Sequence, residues 1–495
     1  MEKYESAVSE KIETMWYKAM ETADSFVSRS YLDKLNLCRA AEPAEEMLVS
    51  FPIELFRLTR LAYIPSEGIV DKLVNVYSSL NSIGTTVFTI IHGEPGKTEF
   101  YIGCLNRSSS DASRLLLESS FEGNFPGIEL SLRNAREKDE LLDCFFPLEY
   151  RSQSIASVSV SADFRKNKTE DGIKYIQGIE KFIDTMKGKE YTALFLAEPV
   201  SHDDCMDKKR ACENMITELS KYNKIAVNYG QNDAVAVNTS LSEGTNESIS
   251  SSINSSVSKS TSVSIGKNKG SSFSRSFSFF GTTYSSGKNR GTTENSTTGY
   301  ADTTGSTKTN MTGSNFNKTT GESRNSGSSV GMTLNIENKA VSNIISKLEY
   351  ELKKLENSDS FGLWDTAVYI VSQDSSTPIV AANSIRSLVI GDESGKAESF
   401  INYWDRTSKA FSHGSVGNIM KFLHYGMHPV FEKNNGISGK SFFFTPAVAV
   451  GGNVLPSIIG LPMRSVPGVT VIETAEFGRN VVTDDHSSPG NRTVR

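Results

Sequence analysis

The sequence predicts an α+β protein. Two αβα half-units form a mixed sheet layer, a small α+β domain precedes them, and a long disordered or extended insert divides them. Three observations predict this. The first 150 residues alternate apolar strand patterns with helical ones in the order of an antiparallel layer. The same order of helix, apolar strand, polar turn and helix then occurs twice, around 176–223 and around 338–391. Between the repeats the composition changes abruptly: of the 94 residues from Asn238 to Gly331, 64 are Ser, Thr, Asn or Gly.

The elements follow in chain order. Met15, Ala19, Ala23 and Phe26 recur about every fourth residue and predict an N-terminal helix. "IVDKLVNVYSSL" (69–80) reads as a second helix. "TTVFTIIHGEPGKTEFYIGCL" (85–105) contains Gly-Lys-Thr, the end of a nucleotide-binding P-loop. The first glycine of that motif should stand at 91, where the chain has Ile91, and the residues after Thr98 favour strand over helix. A phosphate-holding loop needs the amides of a helix N-terminus. The stretch therefore predicts a β-hairpin over 85–104, turning at Gly93, Pro95 and Gly96. "DASRLLLESSF" is a short helix and "GNFPGIELSLR" a turn into a strand.

In the first repeat, "SIASVSVS" is a strand. "DGIKYIQGIEKFIDTM" places Ile173, Ile176, Ile179, Ile183 and Met186 on one helical face. "YTALFLAEP" (191–199) is an apolar strand ending at Glu198, which imitates a magnesium-binding carboxylate but has no phosphate loop to serve. The next helix, "HDDCMDKKRACENMITELSKYN", is acidic at its start, as the helix dipole favours, and carries Cys205 and Cys212 seven apart. In the second repeat Val341, Ile344, Ile345, Leu348, Leu352 and Leu355 have helical spacing. "LWDTAVYIVSQD" is a strand and "STPIVAANSIRSLVIG" a helix. Further on, His424 and His428 are four apart, a spacing metal ligands use, with no acid between them and Pro429 following. "SFFFTPAVAVGG" reads as strand.

The expected organisation is an N-terminal α+β domain (1–150), a first αβα unit (151–237), the insert (238–331) and a second αβα unit (332–395). A connector (396–481) and a polar tail (482–495) complete it. The insert holds nine Lys/Arg against five acids and no proline. It cannot bury enough apolar surface to offset chain entropy, so a flexible loop or a β-arm is expected. Phe273, Phe277, Phe279, Phe280 and Tyr284 within it could stack on single-stranded bases.

Bulk properties exclude several classes. Net charge is −6, so no global positive field attracts nucleic acid. Five cysteines without a Cys-x-x-Cys pair signal neither a disulfide frame nor a zinc knuckle, and fit reduced thiols in a cytoplasmic protein. No apolar run is long enough to span a membrane. The residues yield no catalytic, cofactor-binding or metal-binding set.

Five stretches carry a resemblance: "GNFPG" (123–127), "IQGIEKFIDTMKGKEYTALFLAEP" (176–199), "SLSEGTNESISSS" (240–252), "GLWDTAVYIVSQD" (362–374) and "GLPMRSVPGVTVIETAEFGRNV" (460–481). In that order, over roughly residues 60–481, the chain resembles the N-terminal half of bacterial HerA/FtsK-type ATP-binding proteins, which are similar to the ATPases of conjugation and type IV secretion. The resemblance implies an accessory region serving ring assembly or engagement of DNA or a secretion partner. ATP, magnesium and the catalytic residues would belong to a RecA-type motor that follows such a region and works as a hexamer. This chain has no such motor after Val481, as a fragment, a frameshifted frame or a short protein would not. A stand-alone module serving a separately encoded ATPase is the alternative expectation.

Overall fold

The computed structural model describes residues 23–24, 27–33, 35–43, 53–63, 68–106, 110–148, 153–162, 166–169, 172–175, 178–220, 223–229, 235–238, 332–390, 399–405, 415–434 and 441–473. Ten strands form one mixed sheet: β1 (Ile53–Tyr63), β2 (Thr86–Glu94), β3 (Lys97–Leu105), β4 (Glu129–Leu132), β5 (Ser154–Ser159), β6 (Tyr191–Pro199), β7 (Leu363–Ser372), β8 (Phe400–Trp404), β9 (Val448–Gly451) and β10 (Thr470–Glu473). The order across it is β8-β5-β7-β6-β2-β3-β1-β10, with β9 also on β7 and β4 also on β1. Neighbours are antiparallel except β10, which runs parallel to β1.

Among the described residues, helices α1 (Ile69–Ser82), α2 (Ser110–Asn124), α3 (Ala135–Phe145), α4 (Ile179–Thr185), α5 (His202–Ser220), α6 (Lys339–Phe361), α7 (Thr377–Val389) and α8 (Ser415–His424) accompany the sheet. One face of the sheet is covered by α1, α2, α4 and α7, whose Leu73, Phe121, Phe182 and Ile385 meet Ile91, Phe195 and Val368 of the strands. The other face meets α3 and α8 through Phe145, Met420 and Leu423, over Leu194, Leu196 and Tyr369. The central strands are thus buried on both sides, which explains their unbroken apolar composition. Each such side chain removed from water contributes roughly 1.5–3 kcal/mol.

The predicted α+β class is the observed one. The two repeats meet at β6 and β7, which pair antiparallel from Trp364↔Pro199 to Val371↔Thr192. The segments expected as an N-terminal domain and as αβα units share this sheet, because β2 of the hairpin pairs directly with β6. The connector also contributes strands to it, β9 on β7 and β10 on β1.

Local signals account for the helix starts. Asn338 caps α6, its side-chain oxygen accepting from the amides of Ala340 and Val341. Asn134 and Glu137 form a reciprocal capping box on α3. One expected helix is corrected. Over 171–186 the helix occupies only Ile179–Thr185; Gly172–Tyr175 is a strand paired with Lys166–Thr169 in a tight hairpin. Gly178 at the N-cap separates the two. The β-branched, Gly-bounded start takes the hairpin, and Ile179, Ile183 and Met186 of the predicted face enter the core. "SFFFTPAVAVGG" divides at its proline into Ser441–Phe444 and β9. Of the N-terminal helix positions, Ala23 is described, and it packs on α5 and α6.

Helices α5 and α6 pack on one another through Cys212, Met215, Leu219, Val341, Ile345 and Leu348. One end of the pair joins β6 and β7. The other joins a separate three-stranded sheet, with Lys224–Tyr229 between Val235–Asn238 and Met332–Glu337. At 1.5 Å per residue, α5 sets this small sheet about 28 Å along the helix from the main one. Residues 239–331 connect its two outer strands and lie outside the described residues.

Two outcomes are expected. Asn238 stands opposite Ala226 and Met332 opposite Tyr229, so the ends of the insert are roughly 14 Å apart by strand geometry. Replacing 239–331 by a flexible linker of about six residues should leave the cooperative melt of the sheet intact, followed by circular dichroism. Gly96 and Gly468 both have positive φ, 85° and 91°. A Cβ at Gly96 meets open space, whereas one at Gly468 would lie 1.7 Å from the carbonyl oxygen of Thr98. Gly96→Ala should cost about 1 kcal/mol and Gly468→Ala at least about 2 kcal/mol more, read from urea midpoints at constant slope.

Candidate functional site

The Gly-Lys-Thr stretch is a hairpin. Glu94 pairs with Lys97 and Gly93 with Thr98 across the Pro95-Gly96 turn, so this backbone is occupied by the ladder. β3 continues after Thr98, so no helix N-terminus faces the turn. The Lys97 ammonium lies 3.0 Å from Glu99. Glu198, at the end of β6, accepts from the amide of His428 at 3.2 Å.

His424 and His428 serve different partners. His424 Nδ1 donates to the Phe146 carbonyl at 3.0 Å, just past α3. His428 Nε2 donates to the Asp365 carbonyl at 3.0 Å. Its Nδ1 lies 2.7 Å from the Tyr369 hydroxyl. Cys205 and Cys212 are buried in the α5–α6 contact, and burial pushes the Cys212 thiol up to about 12. None of the five cysteines is in a disulfide. Among the described residues no group of three or more His, Cys, Asp or Glu is placed to hold a metal ion. No described helix is long and apolar enough to cross a membrane.

A concavity lies where β6 begins and β7 and β2 end, beneath the C-terminus of α3. It is a cleft of about 510 Å³. The register sets Val371, Thr192 and His92 side by side on β7, β6 and β2. His92 Nδ1 is 3.0 Å from Thr192 Oγ1 and its Nε2 3.5 Å from Glu94. The imidazole rests against the Phe145 ring, with centroids 4.9 Å apart. Among the described residues of the lining, Glu94, Asp143 and Glu190 bring carboxylates and there is no lysine or arginine. Asp143 stands in the last turn of α3, where the helix dipole is also negative.

This arrangement fits a Thr–His–Glu relay in its order but not in its exposure: Thr192 is only 4% exposed. The exposed thiol on the cleft is Cys144. Burial, then Glu94, Glu190 and Glu99, push it up, which disfavours the thiolate a nucleophile requires. Electrostatically the cleft suits a cationic group. The sequence reading did not single out these residues. Its available signal was His92-Gly93-Glu94, whose period-two spacing puts both side chains on one face of β2.

Two carboxylates face each other at the opposite end of the same strands, where Asp365 pairs with Glu198. Such like charges oppose folding unless compensated. Lys208 of α5 lies 3.5 Å from Asp365, and the His428 amide serves Glu198.

Comparison with models of known protein families and with curated proteins finds no match.

The hairpin carries a pH signature. Burial raises the Glu99 carboxyl, but Lys97, Arg57 and Tyr101 outweigh it and hold it below its ordinary value. The stabilisation is therefore present above the unfolded carboxylate value near ~4.3 and is lost as pH falls through the lower folded value. Glu99→Gln should flatten the stability profile below about pH 4.3, and Lys97→Ala should move the acid limb upward. Urea midpoints across pH 2.5–6 check both, and Lys97→Ala should leave any nucleotide binding unchanged.

Proposed function

We propose that this chain is a non-catalytic assembly or partner-engagement module of a HerA/FtsK-like machine that translocates DNA or protein. The observation that carries the reading is the placement of the insert. The low-complexity segment is attached to a small sheet at the end of a paired-helix stalk, away from the ten-stranded body. A body that presents a polar segment in this way is suited to contact, and its buried centre offers no exposed nucleophile.

The resembling motifs support the same reading by where they fall. "YTALFLAEP" and "GLWDTAVYIVSQD" are the paired central strands β6 and β7. "GNFPG" turns α2 toward β4, and "GLPMRSVPGVTVIE" leads into β10. These are framework positions. ATP and magnesium would be bound by a separate motor domain, and ring formation would depend on it. DNA or a secretion partner would be engaged through the insert.

Phosphate release by the purified chain, with and without single- and double-stranded DNA, tests the reading. No turnover is expected, because phosphoryl transfer needs a phosphate-cradling loop and a metal-holding carboxylate together. Activity that co-elutes with the chain on gel filtration and disappears on one substitution within it would overturn the proposal. Fusion after Val481 to a RecA-type motor should give a ring-forming ATPase, read by light scattering. A fusion that hydrolyses ATP equally well as a monomer would remove the assembly role.

A further inference from the structure

The N-terminal segment crosses from the stalk to the body. Ala23 and Val27 pack against α5 and α6. Asp24 lies 3.6 Å from Lys347, and Arg29 Nη2 donates to Glu351 at 3.0 Å. These two ion pairs of opposite sense set the segment's register along one side of α6. Past Arg29, Leu32 and Leu35 enter the core on the α3/α8 face, and the Leu32 carbonyl accepts from Asn402 of β8. Ala40 then pairs with Phe431.

Arg29 is the corner of this path. Its φ is 52°, and among the described residues it is the one non-glycine residue with positive φ. That backbone costs about 1–2 kcal/mol for an L-residue. Its side chain is 10% exposed, and Nη1 is buried with no hydrogen-bond partner. Glu351 is also met by Lys354, which donates to Ser161 beside β5. The strained backbone and the unsatisfied donor are held in place by the ion pair.

We infer that residues 27–33 form a releasable brace latched by Arg29 on Glu351, which holds the outer half of the α5–α6 stalk against the body. Nearer the sheet Lys208–Asp365 fastens α5 to β7 independently, and Lys209–Asp359 ties α5 to α6. Opening the latch therefore frees the outer half and the small sheet beyond it while the ten-stranded sheet stays folded. It also uncovers the apolar seam of Met215, Leu219, Val341, Ile345 and Leu348. The inference does not depend on the translocation reading.

Amide hydrogen exchange on the full chain tests it. Arg29→Gln should speed exchange in 212–219 and 341–348 by roughly two orders of magnitude, because it removes the partner that ties the buried Glu351 carboxylate to the N-terminal segment and leaves that carboxylate to Lys354. Exchange in 193–197 and 367–371 should stay within about twofold. Adding Glu351→Gln to Arg29→Gln should then change little more, since the Arg29–Glu351 contact is already gone and Lys354 keeps its bond to Ser161. Unchanged exchange in the stalk, an equal rise in stalk and sheet, or additive effects of the two substitutions would overturn the latch. If neither variant folds, native-state exchange of the unaltered chain in graded urea decides. The brace and outer stalk should open together below the free energy of the sheet, and opening only with the sheet would refute the inference.

Discussion

The pairing of β6 with β7 is the constraint on which the rest of the structure depends. Both strands are central, and both of their faces are covered. Their register therefore cannot slip by one residue without exchanging every side chain between two packed layers. That register unites the two half-units on either side of the insert. It also determines what stands at each end of the sheet. At one end it aligns Val371, Thr192 and His92; at the other it sets Asp365 opposite Glu198.

The second juxtaposition influences more than its immediate surroundings. Two carboxylates on adjacent strands need compensation, and Lys208 of α5 supplies part of it. The stalk is thereby fastened at its base by a charge requirement that originates in the sheet. Its outer part has no strand beneath it and relies on α5–α6 packing and the N-terminal segment. Electrostatic fastening thus decreases from the body toward the insert, a gradient suited to presenting a polar segment on a rigid base.

What was legible in the sequence follows from which forces act locally. The spacing of Val341, Ile345 and Leu348 shows an amphipathic helix because one buried stripe is sufficient for it. The hairpin was legible because Pro95 and Gly96 specify their own turn. β1 passed unnoticed: Arg57 and Arg60 interrupt its apolar pattern, and their partners Glu99 and Glu129 come from strands that only the tertiary fold brings alongside. α3 was missed although Asn134 and Glu137 signal its start, since only Leu142 and Phe145 are buried along it. The strand Gly172–Tyr175 falls inside a predicted helix because Ile173 and Ile176 match the helical period.

The cleft was illegible for a related reason. Its lining comes from β2, β6, β7 and α3, and no two of these are adjacent in the chain. The misleading Gly-Lys-Thr stands five residues from His92, so the stretch most suggestive of a site does border one, of a different chemistry. The two ends of the sheet also differ in charge management. At the stalk end the carboxylates of Asp365 and Glu351 are met by Lys208 and Arg29, and Glu198 by an amide. At the cleft end, among the described residues, Glu94 and Asp143 meet histidines, at 3.5 and 3.9 Å. A fold that neutralises its carboxylates where helices must be anchored, and leaves them open at a concave rim, separates structural charge from charge available for contact.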